Sequence, residues 1–155
     1  MSASLPVVLA GLGNEYRRDD GAGQVVAGRA ADRLPDALYL GSFRDPLDLC
    51  HRWDRARTAV IVDAVRSGAA PGAVHVVQLG GSLLAGVRTS THAFDLASVL
   101  RLGSAVGLAP ERVVLVGVEG QDFGFGPGLS PAVEAAVPVA VCHVVSVVEG
   151  LLTCV

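Results

Sequence analysis

The sequence predicts an α/β protein with a largely parallel sheet, and two observations support this. Short runs of β-branched residues alternate with longer stretches that suit helices, which is typical of successive βαβ units. Several of the short runs, such as Val60-Ile61-Val62, are continuously apolar, as expected for strands that are covered on both faces. At 155 residues, the chain is predicted to form one domain over residues 1–155.

Five strands and four helices are predicted. The strands are Pro6–Ala10, Ala37–Leu40, Thr58–Val62, Ala73–Leu79 and Arg112–Val118; the helices are Gly21–Leu34, Pro46–Trp53, His92–Val106 and Pro131–Leu152. The first, third and fifth strands have uninterrupted apolar runs, so we place them in the middle of the sheet. The fourth carries His75 and Gln78 among its valines and is predicted to lie at an edge.

Local signals support the helices in order. Two acids, Asp19 and Asp20, precede the first helix, where acidic groups are favourable. Trp53 is expected to anchor the second helix, hydroxyl residues cap the third, and Ser130 with a following proline begins the fourth. Cys142 and His143 lie in the apolar fourth helix and are predicted to belong to the core.

Composition and charge exclude several classes of function. All 12 basic residues are Arg and the net charge is -3, so the chain lacks the basic field that nucleic-acid binding requires. The three cysteines show no metal-ribbon spacing, which favours a reducing cytoplasm. Residues 131–155 are apolar but are interrupted by charges and a proline, so we predict a packed helix, no membrane span and a soluble protein.

The loop after the first strand carries the first candidate site residue. In open α/β sheets, sites form at the carboxyl ends of the strands. A dinucleotide fingerprint would need a glycine where Tyr16 stands, and no Walker lysine is present. One acid of the pair Asp19 and Asp20 can cap the helix that follows, which leaves the second for another role.

Two further polar residues are candidates for a site at the carboxyl ends of the strands. Asp63 closes an apolar strand, and His92 begins a helix. Each has a purely structural alternative, since Asp63 can bond loop amides and a lone histidine is often merely exposed. Together with Asp20 they would project at one edge of the sheet, as two carboxylates and one imidazole that suit a borderline divalent metal ion.

Four separated blocks resemble one known family. GLGNEYRRDDGAG, IVDAVRSGAAPG, STHAFDLASVL and GVEGQDFGFGPGLSPAVEAAVP are similar, in this order, to the hydrogenase maturation proteases, the nickel-dependent C-terminal endopeptidases. The resemblance implies a three-layer α/β/α sandwich with a mostly parallel five-stranded sheet. It also implies that Asp20, Asp63 and His92 are the catalytic and metal-contacting residues, with Asp20 standing where many members have Glu. Asp19 and Asn14 are interpreted as supports for the site.

The resemblance further implies the reaction and the partner. The expected activity is removal of the C-terminal extension of a [NiFe]-hydrogenase large-subunit precursor after nickel insertion, with nickel supplied by that precursor. A metal-activated water and a carboxylate base, Asp20 or Asp63, remain alternative routes. We expect a monomer or weak dimer. Two other functions stay open, namely a non-catalytic α/β module that binds a metal-loaded or anionic partner, and a small-molecule hydrolase with its own metal.

Overall fold

The protein contains one five-stranded sheet with the strand order β2-β1-β3-β5-β4. This computed structural model describes residues 7–53, 56–79 and 91–153, with the side chains of residues 91–95 and 97 outside the description. The strands are β1 (Val8–Leu12), β2 (Leu38–Phe43), β3 (Thr58–Val65), β4 (Val74–Leu79) and β5 (Arg112–Glu119). The first three and β5 are parallel, whereas β4 is antiparallel to β5 at one edge.

Helices cover both faces of this sheet. They are α1 (Ala22–Ala31), α2 (Pro46–Leu49), α3 (Thr91–Ala105) and α4 (Pro131–Thr153), and a short 3-10 helix (Arg18–Gly21) precedes α1. Because strand side chains alternate, Val60 and Val62 pack towards α1 and α4, whereas Ile61 packs with the residues of α2 and α3. The predicted three-layer α/β/α sandwich is confirmed, and so is the edge position of β4.

β3 and β5 are longer than the sequence predicts, and the length of β3 changes the environment of Asp63. β3 continues to Val65 because β5 pairs with it as far as Glu119, whereas pairing with β1 stops at Val62. Asp63 therefore lies within β3, not after it. On its β1 side the ladder has ended, which leaves that side open to the loops at the carboxyl edge of the sheet.

The first two helices differ from the predicted ones at their ends. The segment before α1 forms the short 3-10 helix. α1 ends at Ala31, three residues short of the predicted end at Leu34, and Pro35 disfavours helical backbone at Leu34. α2 ends at Leu49 rather than at Trp53. Trp53 nevertheless is buried beside Leu49, as predicted.

Helix α4 is long and apolar enough to cross a membrane by length and composition alone. In this fold its buried residues, among them Val137, Val144 and Val148, pack on α1 and the sheet. The prediction that Cys142 and His143 are core residues is wrong, because both lie on the exposed side of the helix.

Candidate active site

Four buried carboxylates lie at the carboxyl edge of the sheet. In the part of the chain that the structure describes, Asp19, Asp20, Asp63 and Glu119 are the buried charged residues, each at most 2% exposed. Removing a carboxylate from water is costly unless the protein supplies hydrogen bonds or a counter-charge. Because four such buried carboxylates lie together at one edge of the sheet, this edge is the candidate active site.

Asp20 is held by the tight loop that follows β1. The backbone N–H of Asn14 donates to Asp20 Oδ2 at 2.9 Å, and Asp20 N donates to Arg17 O at 3.1 Å. Gly13 makes this turn possible: its φ is +133°, and a Cβ there would lie 1.9 Å from the Asp20 carbonyl oxygen. The loop therefore fixes Asp20 through its backbone as well as through its side chain.

Asp63 is brought to the same place by the start of α1. A Cβ on Gly23 would lie 2.3 Å from Val62 O, 2.6 Å from Leu12 O and 2.9 Å from Asp63 Cα. Only a glycine lets the helix lie this close to the ends of β1 and β3. The 3-10 helix that carries Asp20 also packs on β3, so the two predicted carboxylates share one edge.

Asp19, next to Asp20, joins the site to a distant part of the chain. Its Oδ2 accepts hydrogen bonds from the N–H groups of Gln121 and Asp122 and from the Ser130 hydroxyl, all at 2.8 Å. Its Oδ1 accepts from Ser130 N at 2.7 Å. Burial alone raises the pKa of Asp19, but these donors outweigh that effect and lower it.

The prediction that Asp19 or Asp20 caps the first helix is wrong. Neither the 3-10 helix nor α1 has a side-chain cap, because Asp19 points to the loop after β5 and Asp20 accepts from Asn14. Asp19 instead ties that loop and the start of α4 to the segment of Asp20. This arrangement agrees with its predicted role as a support.

Glu119 forms a second brace that the sequence prediction missed. It accepts hydrogen bonds from Ser67 N at 2.8 Å and from the Ser67 hydroxyl, and His75 Nε2 lies 3.2 Å from its Oε1. Burial raises the pKa of Glu119, but the bonds from Ser67 and the contact with His75 outweigh burial and lower it. An acid after the apolar run of β5 is the same signal that identified Asp63.

The serine contacts do not form a catalytic triad. In a catalytic triad, a nucleophilic serine is paired with an imidazole that accepts its proton. Here Glu119 stands between Ser67 and His75, and the Ser130 hydroxyl donates to Asp19. Cys50 bonds Leu47 O. Among these contacts of the described residues, none pairs a serine or cysteine with an imidazole base.

The third predicted residue, His92, is placed only through its backbone. It lies in the first turn of α3, and six residues join the end of α3 to the start of β5. A 15-residue helix spans roughly 22 Å, so α3 runs back along the sheet and its first turn lies towards the carboxyl edge. The His92 side chain lies outside the described residues, and its role as a ligand stays a prediction.

Within the described ranges, no group of three or more His, Cys, Asp and Glu side chains is arranged to hold a metal ion. Asp20 and Asp63 can supply hard oxygen ligands, and a borderline ion would need a further donor. The sequence predicts His92 as that donor, and this stays a prediction.

The fold and site define an α/β protein with buried carboxylates where its parallel strands end. The family model described as hydrogenase maturation protease matches residues 45–147, a stretch that holds Asp63 and His92 and begins after Asp20. The chain belongs to the hydrogenase maturation protease family, which confirms the family predicted from the four blocks. It is therefore a peptidase, and hydrolase chemistry is its class of reaction.

Individual relatives agree with this assignment. The chain is 28% identical over 141 residues to the hydrogenase expression/formation protein HoxM of Cupriavidus necator, which covers 87% of this chain and 70% of HoxM. It is similar to the hydrogenase maturating endopeptidase HybD of E. coli, with a TM-score of 0.76, 23% identity and 94% and 93% of the two chains covered. It is also similar to the [NiFe] hydrogenase maturation protease HybD of Thermococcus kodakarensis, with a TM-score of 0.73 and 28% identity. That match covers 95% of this chain and 99% of the other.

Proposed function

We propose that this protein removes a C-terminal extension from a [NiFe]-hydrogenase large-subunit precursor after nickel insertion. Asp20 and Asp63 are the proposed catalytic carboxylates, with His92 as the third member of the set. The observation that carries the proposal is the position of Asp20 and Asp63, two buried acids from different segments held at one sheet edge. Family membership supplies the reaction class.

The proposed chemistry is attack by water on one peptide bond. A carboxylate, Asp20 or Asp63, accepts a proton from the water while the water oxygen bonds to the carbonyl carbon. The carbon–nitrogen bond then breaks, and the leaving amine takes up a proton, so the products are a new carboxylate and a free amino group. The hydrogen bonds of Asp19 hold the segment that carries Asp20 before the substrate arrives.

Nickel enters this proposal as part of the substrate. The precursor would present its bound nickel to Asp20, Asp63 and His92, and two oxygens with one imidazole nitrogen suit a borderline divalent ion. Contact with this nickel would draw the precursor into register with the carboxylates. Cleavage would then depend on whether the precursor carries nickel.

Intact-mass spectrometry of the nickel-loaded precursor tests the assignment of the carboxylates. Wild-type protein should remove a C-terminal peptide, whereas Asp20→Asn and Asp63→Asn should each slow removal by at least 100-fold, within the range contributed by a general base (about 10²–10⁴-fold). Asp36→Asn is the matched control. Asp36 is exposed and precedes β2, so it lies at the amino ends of the strands, opposite the candidate site.

The outcomes separate the alternatives. Wild-type rates in both carboxylate variants would contradict their catalytic role. A wild-type protein that binds the precursor without changing its mass would favour the non-catalytic binding module. Circular dichroism of each variant shows that any loss is not due to unfolding.

A further inference from the structure

A patch of aromatic and arginine side chains lies beside the candidate active site. We define the rim as Tyr16, Arg17, Arg18 and Phe125, which come from the loops after β1 and β5. Phe125 is 88% exposed and Tyr16 is 58% exposed. The rim thus presents two exposed aromatic rings beside exposed arginines, at the edge where Asp20 lies.

The two loops of the rim are fastened to each other through their backbones. Arg18 N donates to Gly126 O at 2.9 Å, and Gly126 N donates to Tyr16 O at 2.8 Å. Arg18 has a φ of +48°, a region that non-glycine residues rarely adopt, and such backbone persists where its surroundings hold it. Phe125 is therefore exposed on a fixed backbone rather than on a loose loop.

Guanidinium groups contact the Tyr16 ring and the backbone beside Phe125. Arg44 lies over the Tyr16 ring at 5.4 Å from its centroid, and the Nε of Arg18 donates to Phe125 O at 3.4 Å. Arg17 donates to Phe123 O at 3.3 Å. Tyr, Phe and Arg are the side chains enriched in the centres of protein–protein interfaces, where they carry much of the binding energy.

The charges of the rim favour a partner with carboxylates. Arg17 and Arg18 of the rim, and Arg44 beside it, are exposed in a chain of net charge -3. Three acids adjoin the rim: Asp122 lies 3.6 Å from Arg18, Asp45 accepts from Leu47 N, and Glu15 is exposed. A polypeptide segment that combines apolar and acidic side chains would complement this surface.

Continuity with the site selects the occupant. Arg18 is two residues before Asp20, and Asp19 N bonds Asp122 O at 2.9 Å, so the rim and the carboxylate share one braced segment. The rim therefore lies where a polypeptide bound at Asp20 can contact it. A second copy of the chain on the rim would instead cover the site.

We propose that the rim is the docking surface for the polypeptide substrate, in which Phe125 enters an apolar depression of the substrate and the guanidinium groups bind its carboxylates. This inference rests on the proposed function. It adds a binding residue, Phe125, that touches the substrate away from the bond that is cut and determines which precursor is accepted.

The test compares Phe125→Ala with Leu102→Ala, which removes an exposed apolar side chain on α3. Leu102 is 61% exposed. For the nickel-loaded precursor, Phe125→Ala should raise both KM and the Kd measured by biolayer interferometry at least tenfold, with the loss in KM rather than kcat. Leu102→Ala should match the wild type. Phe125→Trp should restore most of the affinity, because a large aromatic ring is kept.

Failure of this inference can be told apart from failure of the proposed function. If the wild type cleaves the precursor and Phe125→Ala does so with unchanged KM and Kd, docking at the rim is refuted and the protease assignment stands. If the wild type binds without cleaving, the protease assignment fails, and the ratio of the two Kd values still decides the rim. If the wild type neither binds nor cleaves, both are overturned.

Discussion

Replacing Asp19 by alanine should destabilise the protein strongly, because this carboxylate joins three segments. Asp19 is fully buried and accepts four hydrogen bonds of 2.7–2.8 Å. Removing it leaves the N–H groups of Asp122 and Ser130 in partly buried positions without their acceptor, whereas exposed Gln121 can turn to water. Each unsatisfied group costs about 1–3 kcal/mol, so we expect a loss of about 4 kcal/mol in the free energy of unfolding.

Urea unfolding followed by circular dichroism measures this loss. For a chain of this size, about 4 kcal/mol corresponds to a fall in Tm of roughly 8–16 °C, at about 2–4 °C per kcal/mol. The control is Asp36→Asn, an exposed acid that should stay within about 0.5 kcal/mol of the wild type. A loss below about 1 kcal/mol in Asp19→Ala would show that Asp19 does not hold these segments together.

The pH dependence gives an independent check through the milder variant Asp19→Asn. Because the pKa of Asp19 is lower in the folded state than its ordinary value of 3.8, its charge stabilises the fold above that value. This stabilisation is lost as the pH falls through the lowered pKa. The difference in unfolding free energy between wild type and Asp19→Asn should therefore be largest near neutral pH and shrink below about pH 4, and a constant difference would refute the argument.

Two further predictions concern the frame of the site. Gly23→Ala should lower the free energy of unfolding by more than about 3 kcal/mol, because the new Cβ would lie 2.3 Å from Val62 O. Gly28→Ala in the same helix should stabilise the protein by about 0.5–1 kcal/mol, because its Cβ would lie 3.6 Å from the nearest atom. Equal Tm values for the two variants would contradict this prediction. Glu119→Gln should destabilise by about 1–3 kcal/mol at neutral pH. Since the pKa of Glu119 is lowered from 4.5, the effect should diminish in acid, and urea titrations at several pH values test it.

Much of the fold could be predicted because it follows from local patterns. Continuous apolar runs located β1, β3 and β5 in the middle of the sheet, and the polar residues of β4 located it at an edge. Strand ends were less accurate, since the extension of β3 to Val65 depends on pairing with β5, which is more than 40 residues away. Only the assembled ladder shows that Asp63 lies within the strand.

The candidate site could also be predicted in part from the sequence. The strand-end argument identified Asp20 and Asp63, which the structure brings to one edge. It did not show how Asp19 differs from Asp20, because the partners of Asp19 lie more than 100 residues along the chain. Glu119 was missed although it follows an apolar run, since its partners Ser67 and His75 form no recognisable motif.

The dependence of cleavage on nickel tests the central claim most directly. The intact mass of the cognate large-subunit precursor is followed over time with wild-type protein, for nickel-loaded and nickel-free precursor in parallel. The account predicts that the nickel-loaded form loses a C-terminal peptide while the nickel-free form keeps its mass. Equal cleavage of both forms would contradict sensing of nickel through Asp20, Asp63 and His92, and cleavage of neither would contradict the proposed protease.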